Sequence, residues 1–600
     1  MNIYDFKVDK IISTFFKEDY NFDSEYSYIY ITIRNYLQEV YKNGIVAIWG
    51  LGKHTDVLLT EFNEYISKTN FYIERNCKQL NIEFYNNKKV ISPNDLINNN
   101  VDKIIISSFA YREEIKEQID EFNKVNKLKI EIIDIYSYLL EQNIELNDVF
   151  YLAKHDYGGY REYKKINDIY LKYKISKNVE EKERYLKILI YKYICIRDFI
   201  YALNFIDEYI KCNYKDIENM KLLKSEINNL LKELKETVKS NNKDNIFILL
   251  LDALKARNVY KDGYMKFLES FAKKNTYFTN AYSTSIYTEE SLISSLIGQL
   301  PFENCNYLKK SIKREECAFI EEGENKGYNF KAYILDDWLL FEDYKENCFD
   351  GGKYISKTMW DAIVNIDSNN NNMTFIYELS ESHAPFISGF HSKEVMNFGK
   401  IINLEEIDYE QNVKYQMIES LEYLDKQLEF YLSFLKDDDS VIIFSDHGNM
   451  GESYSLKLTE AYEKLGWAED RIRIPIIVKN KEFGKQKINS LISLMDINEL
   501  IIKVINKNNE IPKRRYCRVQ FSPINNIMWQ KALKEAQMDE FLYGFEIFIK
   551  DKLKYVKTGT GEKMLYKINN YEDIFIQDFS ILQQTEKEFK DNIMIGKMRF

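Results

Sequence analysis

Apolar positions along this chain follow two rhythms: short unbroken runs that read as buried strands, and three- and four-residue spacings that read as helices. Ile45 to Trp49 is one such run, followed by a glycine turn and a helix-period stretch through Val57, Leu58 and Phe62. The runs in NFYIERN, ending at Glu74, and in VDKIIISSF, before the helical YREEIKEQIDEF, continue the alternation. Strands alternating with helices predict parallel βαβ units. From about residue 151 to 240 the strands disappear. EEKERYLKILIYKYICIRDFIYALNFIDEYI and then Met220, Leu223, Ile227, Leu231 and Leu234 predict two to four amphipathic helices, a bridge or a small bundle. The polar break SNNKDN precedes a fresh strand in NIFILLLD, which sets a boundary near residue 241.

At 600 residues the chain exceeds one hydrophobic core, so two or three domains are expected. The division read here is a Rossmann-like βαβ domain over 1–150, a helical linker or small bundle over 151–240, and an α/β domain over 241–600. With 21 Gly and 6 Pro the chain is neither low-complexity nor loop-dominated. A formal charge of −11 offers no basic field for phosphate backbones, so no nucleic-acid partner is expected. Cys77, Cys195, Cys212, Cys305, Cys317, Cys348 and Cys517 form no Cys-x-x-Cys pair, which excludes a thiolate zinc site of that spacing and gives no disulfide framework. The N-terminal MNIYDFKVDKIISTFF is too charged for a secretory peptide, and the most apolar stretch, INSLISLMDINELIIKVI, is broken by Asp496, Asn498 and Glu499. No transmembrane segment is expected, and the location expected is the cytoplasm, at most peripheral to the inner membrane face.

Two places carry candidate chemistry. The first is the turn Gly50-x-Gly52-x-x-Thr55, with Glu74 roughly where the ribose-binding acid of a dinucleotide fingerprint belongs. It admits a bound nucleotide on Gly50, Gly52 and Glu74, or simply a tight turn in a structural module. The second lies in the last segment. The strand Ile246 to Leu251 ends in Asp252, and the strand Val441 to Phe444 runs into Asp446, His447 and Gly448. In an open α/β sheet, sites are built at the carboxyl ends of strands. Oxygen ligands with one imidazole and no thiolate suit zinc, manganese or a similar divalent ion. The alternative is that Asp252 caps a helix over ALKARN and that Asp446 and His447 open a turn.

The order NIFILLLDALKA, FTNAYSTSIYTEESLISSLIGQLP, ESHAPF, FSDHGNMGE, RIRIPIIV, SLMDINELI resembles the sulfatase and alkaline-phosphatase superfamily over about 245 to 510, and KYVKTGTGEKMLYKI resembles that fold's closing hairpin. The resemblance implies a mixed sheet flanked by helices. Laying Gly298 on the glycine ten residues after the sulfatase nucleophile puts Thr288 at the nucleophile and Ser291 on the family serine, while Glu290 stands for the proline and Leu292 for the arginine. Threonine, methylated at its β-carbon, cannot yield the formylglycine of sulfatases. It is similar instead to phosphoethanolamine transferases, lipoteichoic acid synthases and nucleotide phosphodiesterases. The resemblance implies one divalent ion, zinc or manganese, held by Asp252, Thr288, Asp446 and His447. It also implies that His383 contacts the substrate or its leaving group; Ala384 departs from the family's glycine there. His391 reads as a surface residue.

The function expected is a metal-dependent phosphotransferase that moves a phospho-alcohol group from a phosphodiester donor, through a phosphothreonine, to a glycan or alcohol acceptor. The rivals are a phosphodiesterase or phosphatase with water as acceptor, and a non-catalytic scaffold whose N-terminal domain senses a nucleotide.

Overall fold

The computed structural model describes residues 2–16, 24–75, 77, 82–108, 111–142, 160–335, 340–395, 409–449, 466–523 and 542–595. The chain divides into two compact units, one of residues 1–18, 158–396 and 400–600, the other of residues 19–157 with 397–399.

The smaller unit is built on β1 (Val46–Trp49), β2 (Phe71–Ile73), β3 (Phe84–Tyr85), β4 (Lys88–Ile91), β5 (Lys103–Ile106) and β6 (Glu131–Ile133), in the order β3-β4-β2-β1-β5-β6. Every pairing is parallel except β3 with β4. Val46 and Ile48 enter one apolar cluster, Ala47 and Trp49 another. Both faces of β1 are thus covered, and its run of apolar residues needs no alternation.

The larger unit contains the helices Tyr160–Ile175, Val179–Cys195, Phe199–Lys211 and Ile217–Ser240. The last of these buries Met220, Leu223, Ile227, Leu231 and Leu234, the stripe its spacing predicts. The helices are also bound to the segment 381–391: Tyr163 Oη donates to Glu381 Oε1 (2.5 Å), Asn167 Nδ2 to the His391 carbonyl (3.1 Å) and Tyr193 Oη to the Gly389 carbonyl (2.6 Å).

The main sheet comprises β7 (Asn245–Leu251), β8 (Thr276–Tyr282), β9 (Tyr328–Ile334), β10 (Cys348–Asp350), β11 (Asn371–Glu378), β12 (Ser440–Phe444), β13 (Arg473–Lys479), β14 (Gln486–Ile488) and β15 (Ile492–Ser493). Its order is β10-β9-β11-β7-β12-β13-β8-β14, with β15 also on β8. β11 and β12 flank β7 in parallel, whereas β12–β13 and β13–β8 are antiparallel, so the sheet is mixed. Ile246, Ile248 and Leu250 of β7 enter the large core with Ile442 and Phe444 of β12. A second sheet, wholly antiparallel, runs β16 (Cys517–Phe521), β17 (Phe545–Lys550), β18 (Leu553–Thr558), β19 (Lys563–Asn569), β20 (Glu572–Phe575). β18 and β19 form the hairpin of KYVKTGTGEKMLYKI. No helix among the described residues is long and apolar enough to cross a membrane.

Candidate active site

The register of the main sheet sets the first two ligands. Leu250 of β7 lies opposite Phe444 of β12, so Asp252 and Asp446, each two residues further on, leave the sheet at the same edge. Asp252 caps no helix: the short helix Ala256–Tyr260 begins after Lys255, and the Asp252 N–H instead donates to the Glu378 carbonyl at 2.9 Å. Asp446 Oδ1 accepts the N–H groups of Ala253 (3.0 Å) and His447 (2.8 Å), and Ser445 Oγ accepts that of Leu254 (2.8 Å). Each strand end therefore braces the other. Ligand atoms of Asp252, Asp446 and His447 all lie within 4.8 Å of one another.

Thr288 arrives from a different element. It opens the helix Thr288–Ile297, whose end is Gly298 in the left-handed region (φ 72°). Its Oγ1 is 3.0 Å from His447 Nε2. The ring's Nδ1 is 2.9 Å from the Gly448 carbonyl, which can only accept, so Nδ1 carries the proton and Nε2 presents its lone pair to Thr288.

Burial sets the electrostatics. Asp446, Asp252 and His447 are 0%, 1% and 2% exposed. Burial, then the charge of Asp446, pushes the Asp252 carboxyl well above the usual range, and burial raises Asp446 against the pull of the Ala253 and His447 N–H groups. Burial, with Arg471 nearby, holds His447 well below the ordinary imidazole range. The ring is therefore neutral, and its 3.3 Å approach to Asp446 Oδ2 brings a lone pair against a carboxylate, not an ion pair. Asp252 Oδ1 and Asp446 Oδ2 accept no hydrogen bond among the described residues. Two buried carboxylate oxygens and an imidazole lone pair converging on one space are the donor set of a divalent cation, and the residues fit one.

Ser291 also belongs to this framework, donating from Oγ to the Asp446 carbonyl (2.7 Å). Glu290 is buried and accepts from Ser285 Oγ (2.8 Å) and Ser522 Oγ; burial pushes its carboxyl up to about 7 against those donors. Leu292 is a core residue with no exposure. His383 lies near the cluster, next to Ser382, whose carbonyl, like that of Ala253, accepts from Asn449 Nδ2; burial holds its imidazole below the ordinary range, and its Nδ1 meets the Ala384 carbonyl at 2.6 Å. His391 is not a surface residue. It is 2% exposed, its Nε2 accepts from the Ser388 N–H (2.9 Å) and its Nδ1 faces Glu419 Oε2 (3.4 Å).

In the smaller unit Gly50 follows β1, Gly52 precedes the helix Lys53–Glu61, and Glu74 follows β2 with its N–H on the Ile91 carbonyl (3.1 Å). Gly50 has φ 120°, and a Cβ there would lie 2.8 Å from the Ser107 carbonyl oxygen, so packing alone requires glycine.

Sequence reasoning missed two contributors. Tyr377, at the end of β11, donates its hydroxyl to Asp252 Oδ2. Arg471, just before β13, donates from Nη1 to the Gly448 carbonyl (2.9 Å) and from Nη2 to the Ile286 carbonyl (2.7 Å). The stretch RIRIPIIV contained the signal for Arg471, a cation at a strand's start. Gly448 itself serves close approach: a Cβ there would sit 1.8 Å from the Asp470 carbonyl oxygen.

Residues 244–506 match the sulfatase family, and residues 41–131 match the family described as C2185-like, N-terminal. No match is found among curated proteins. Among solved structures, the chain is similar to a 2-O GAG sulfatase at 12% identity, covering 59% of this chain and 92% of that one, with a TM-score of 0.44. A phosphonate monoester hydrolase from Silicibacter pomeroyi is similar at 12% identity over 59% of this chain and 95% of that one, TM-score 0.41. A protein of the alkaline phosphatase superfamily from Vibrio parahaemolyticus is similar at 11% identity over 61% and 96%, TM-score 0.37. Over 244–506, then, the chain is similar to the sulfatase family.

Proposed function

We propose that the larger unit is a metal-dependent phosphotransferase with Thr288 as nucleophile, acting on a phosphodiester donor and passing the phospho-alcohol group to a glycan or alcohol acceptor. The observation that carries this reading is the Thr288 hydroxyl, 3.0 Å from His447 Nε2, beside two buried carboxylates with an unpartnered oxygen each. Asp252, Asp446, His447 and Thr288 would hold zinc or manganese. When bound, the ion supplies Lewis acidity that favours the Thr288 oxygen as alkoxide and offsets charge on the phosphoryl oxygens.

The chain's own residues do the rest. The neutral imidazole offers Nε2 rather than a proton, and Tyr377 and the main-chain N–H groups orient the carboxylates. Thr288 sits in the first turn of its helix, where N–H groups point outward and favour an anionic group. Thr288 gives up its hydroxyl proton to solvent, Oγ1 attacks phosphorus and forms a phosphothreonine as the bond to the departing alcohol breaks, and that alkoxide takes up a proton from water as it leaves. His383, near the cluster, would meet the leaving group. An acceptor hydroxyl then attacks the same phosphorus and loses its proton to water, the Thr288 Oγ1–P bond breaks, and Oγ1 is reprotonated. A threonine cannot form the aldehyde that sulfate ester cleavage by the formylglycine route needs, which favours phosphorus over sulfur.

The test is turnover of bis-p-nitrophenyl phosphate with added manganese or zinc, in the presence of glycerol, ethanolamine or simple sugars. Transfer predicts that acceptors divert product from hydrolysis. Product distribution indifferent to every acceptor would leave water as acceptor and a phosphodiesterase.

A further inference from the structure

Thr288 and His447 come from segments far apart in the chain, and one side chain spans them. Arg471 belongs to the single helical turn Glu469–Ile472, directly before β13. Its Nη1 donates to the carbonyl of Gly448, the same oxygen that receives His447 Nδ1–H, and its Nη2 donates to the carbonyl of Ile286, two residues before Thr288. The main chain repeats the connection: the Gly448 N–H donates to the Arg471 carbonyl (2.8 Å), and the Ser283 N–H to the Ile472 carbonyl (2.8 Å). The turn is itself tethered, since Asp470 Oδ2 lies 3.5 Å from Lys255 Nζ and 3.4 Å from Arg257 Nη1.

We propose that Arg471 is a positioning residue: its guanidinium bridges the Ile286 and Gly448 carbonyls and so fixes the Thr288 hydroxyl beside His447. Only a planar fork with several N–H groups serves two carbonyls in different directions; a lysine ammonium supplies a point charge and one short reach. The role rests on the phosphotransfer reading, because a held nucleophile matters only where Thr288 is one.

The test compares wild type, Arg471→Lys and Arg471→Ala, each checked for folding by thermal melt and for metal by elemental analysis. In both variants kcat on bis-p-nitrophenyl phosphate is expected to fall about 10- to 100-fold, with KM within about threefold, as for a nucleophile displaced by a fraction of an ångström. Guanidinium ion at low concentration is expected to restore part of the rate to Arg471→Ala and none to Thr288→Ala. Unchanged kcat in Arg471→Lys overturns the proposal, as does a loss that falls wholly on KM. If Arg471→Ala does not fold, Arg471→Lys decides alone.

If wild type turns over no phosphodiester, the phosphotransfer reading fails on its own. The bridge is then read from the ring signals of 15N-histidine-labelled protein, with His447 assigned by the signal lost in His447→Gln. Arg471→Lys is expected to shift His447 while His54 and His391 stay in place, and an unmoved His447 signal overturns the bridge.

Discussion

Two strand ends in this protein share a local pattern and differ in what they leave unsatisfied. After β1 the chain makes the Gly50 turn; after β12 it makes the turn through Asp446, His447 and Gly448. Both glycines are required by a neighbouring carbonyl, that of Ser107 at the first and of Asp470 at the second. At the first, three side chains meet one another: Thr55 Oγ1 donates to the Gly50 carbonyl (2.8 Å), and Ser107 Oγ meets both Thr55 Oγ1 and His54 Nδ1 at 2.7 Å. At the second, Asp252 Oδ1 and Asp446 Oδ2 accept no hydrogen bond among the described residues, and a lone pair of His447 lies 3.3 Å from Asp446 Oδ2. An apolar strand, a glycine and a histidine do not by themselves mark a site. Convergent acceptors without donors do, because burying them is costly unless a cation joins them.

The sharpest break in that comparison is Thr288→Ala, expected to lower kcat about 10⁴-fold or more, as removal of a nucleophile does, with Thr288→Ser retaining measurable turnover. Next is Gly448→Ala, whose Cβ would meet main-chain oxygen at 1.8 Å. It is expected to abolish metal retention in elemental analysis, whereas Gly50→Ala should cost about 1–3 kcal/mol in a denaturant melt of the smaller unit.

The pH dependence sharpens the comparison further. The folded-state pKa values of Asp252 and Asp446 are raised, so in chelator-treated protein their contribution to stability is fully present below the unfolded value of about 3.9 and is lost as pH rises through the raised values. A bound cation requires the ionised forms and reverses that loss. The gap in Tm between metal-loaded and chelated protein is therefore expected to widen as pH rises above about 4, and a gap constant with pH would contradict the cation site. The smallest effect expected is that of Tyr377→Phe, which removes the donor on Asp252 Oδ2 and should weaken metal affinity about tenfold in a competition titration.

Much of this was legible in the sequence because the governing signals are local. β7 and β12 announce themselves as apolar runs ending in Asp, and the parallel register that joins their ends follows once the strands are neighbours. The helical stripe from Met220 to Leu234 is legible for the same reason. What was not legible depends on contacts between distant segments. Among 47 tyrosines nothing distinguishes Tyr377 until β11 lies beside β7. Arg471 acts on Gly448 and Ile286 only because its turn packs against both loops, and His391 is buried because the helices at Asn167 and Tyr193 close over its segment. The β3–β4 hairpin carries too few residues for a periodic signal.

Whether Thr288 takes up phosphorus can be read by acid-quenching the manganese- or zinc-loaded protein during turnover of a phosphodiester and mapping the mass of the peptide that carries residue 288. A phospho-alcohol adduct is expected on Thr288 in wild type and absent from Thr288→Ala. Turnover that leaves Thr288 unmodified and persists undiminished in Thr288→Ala would contradict it.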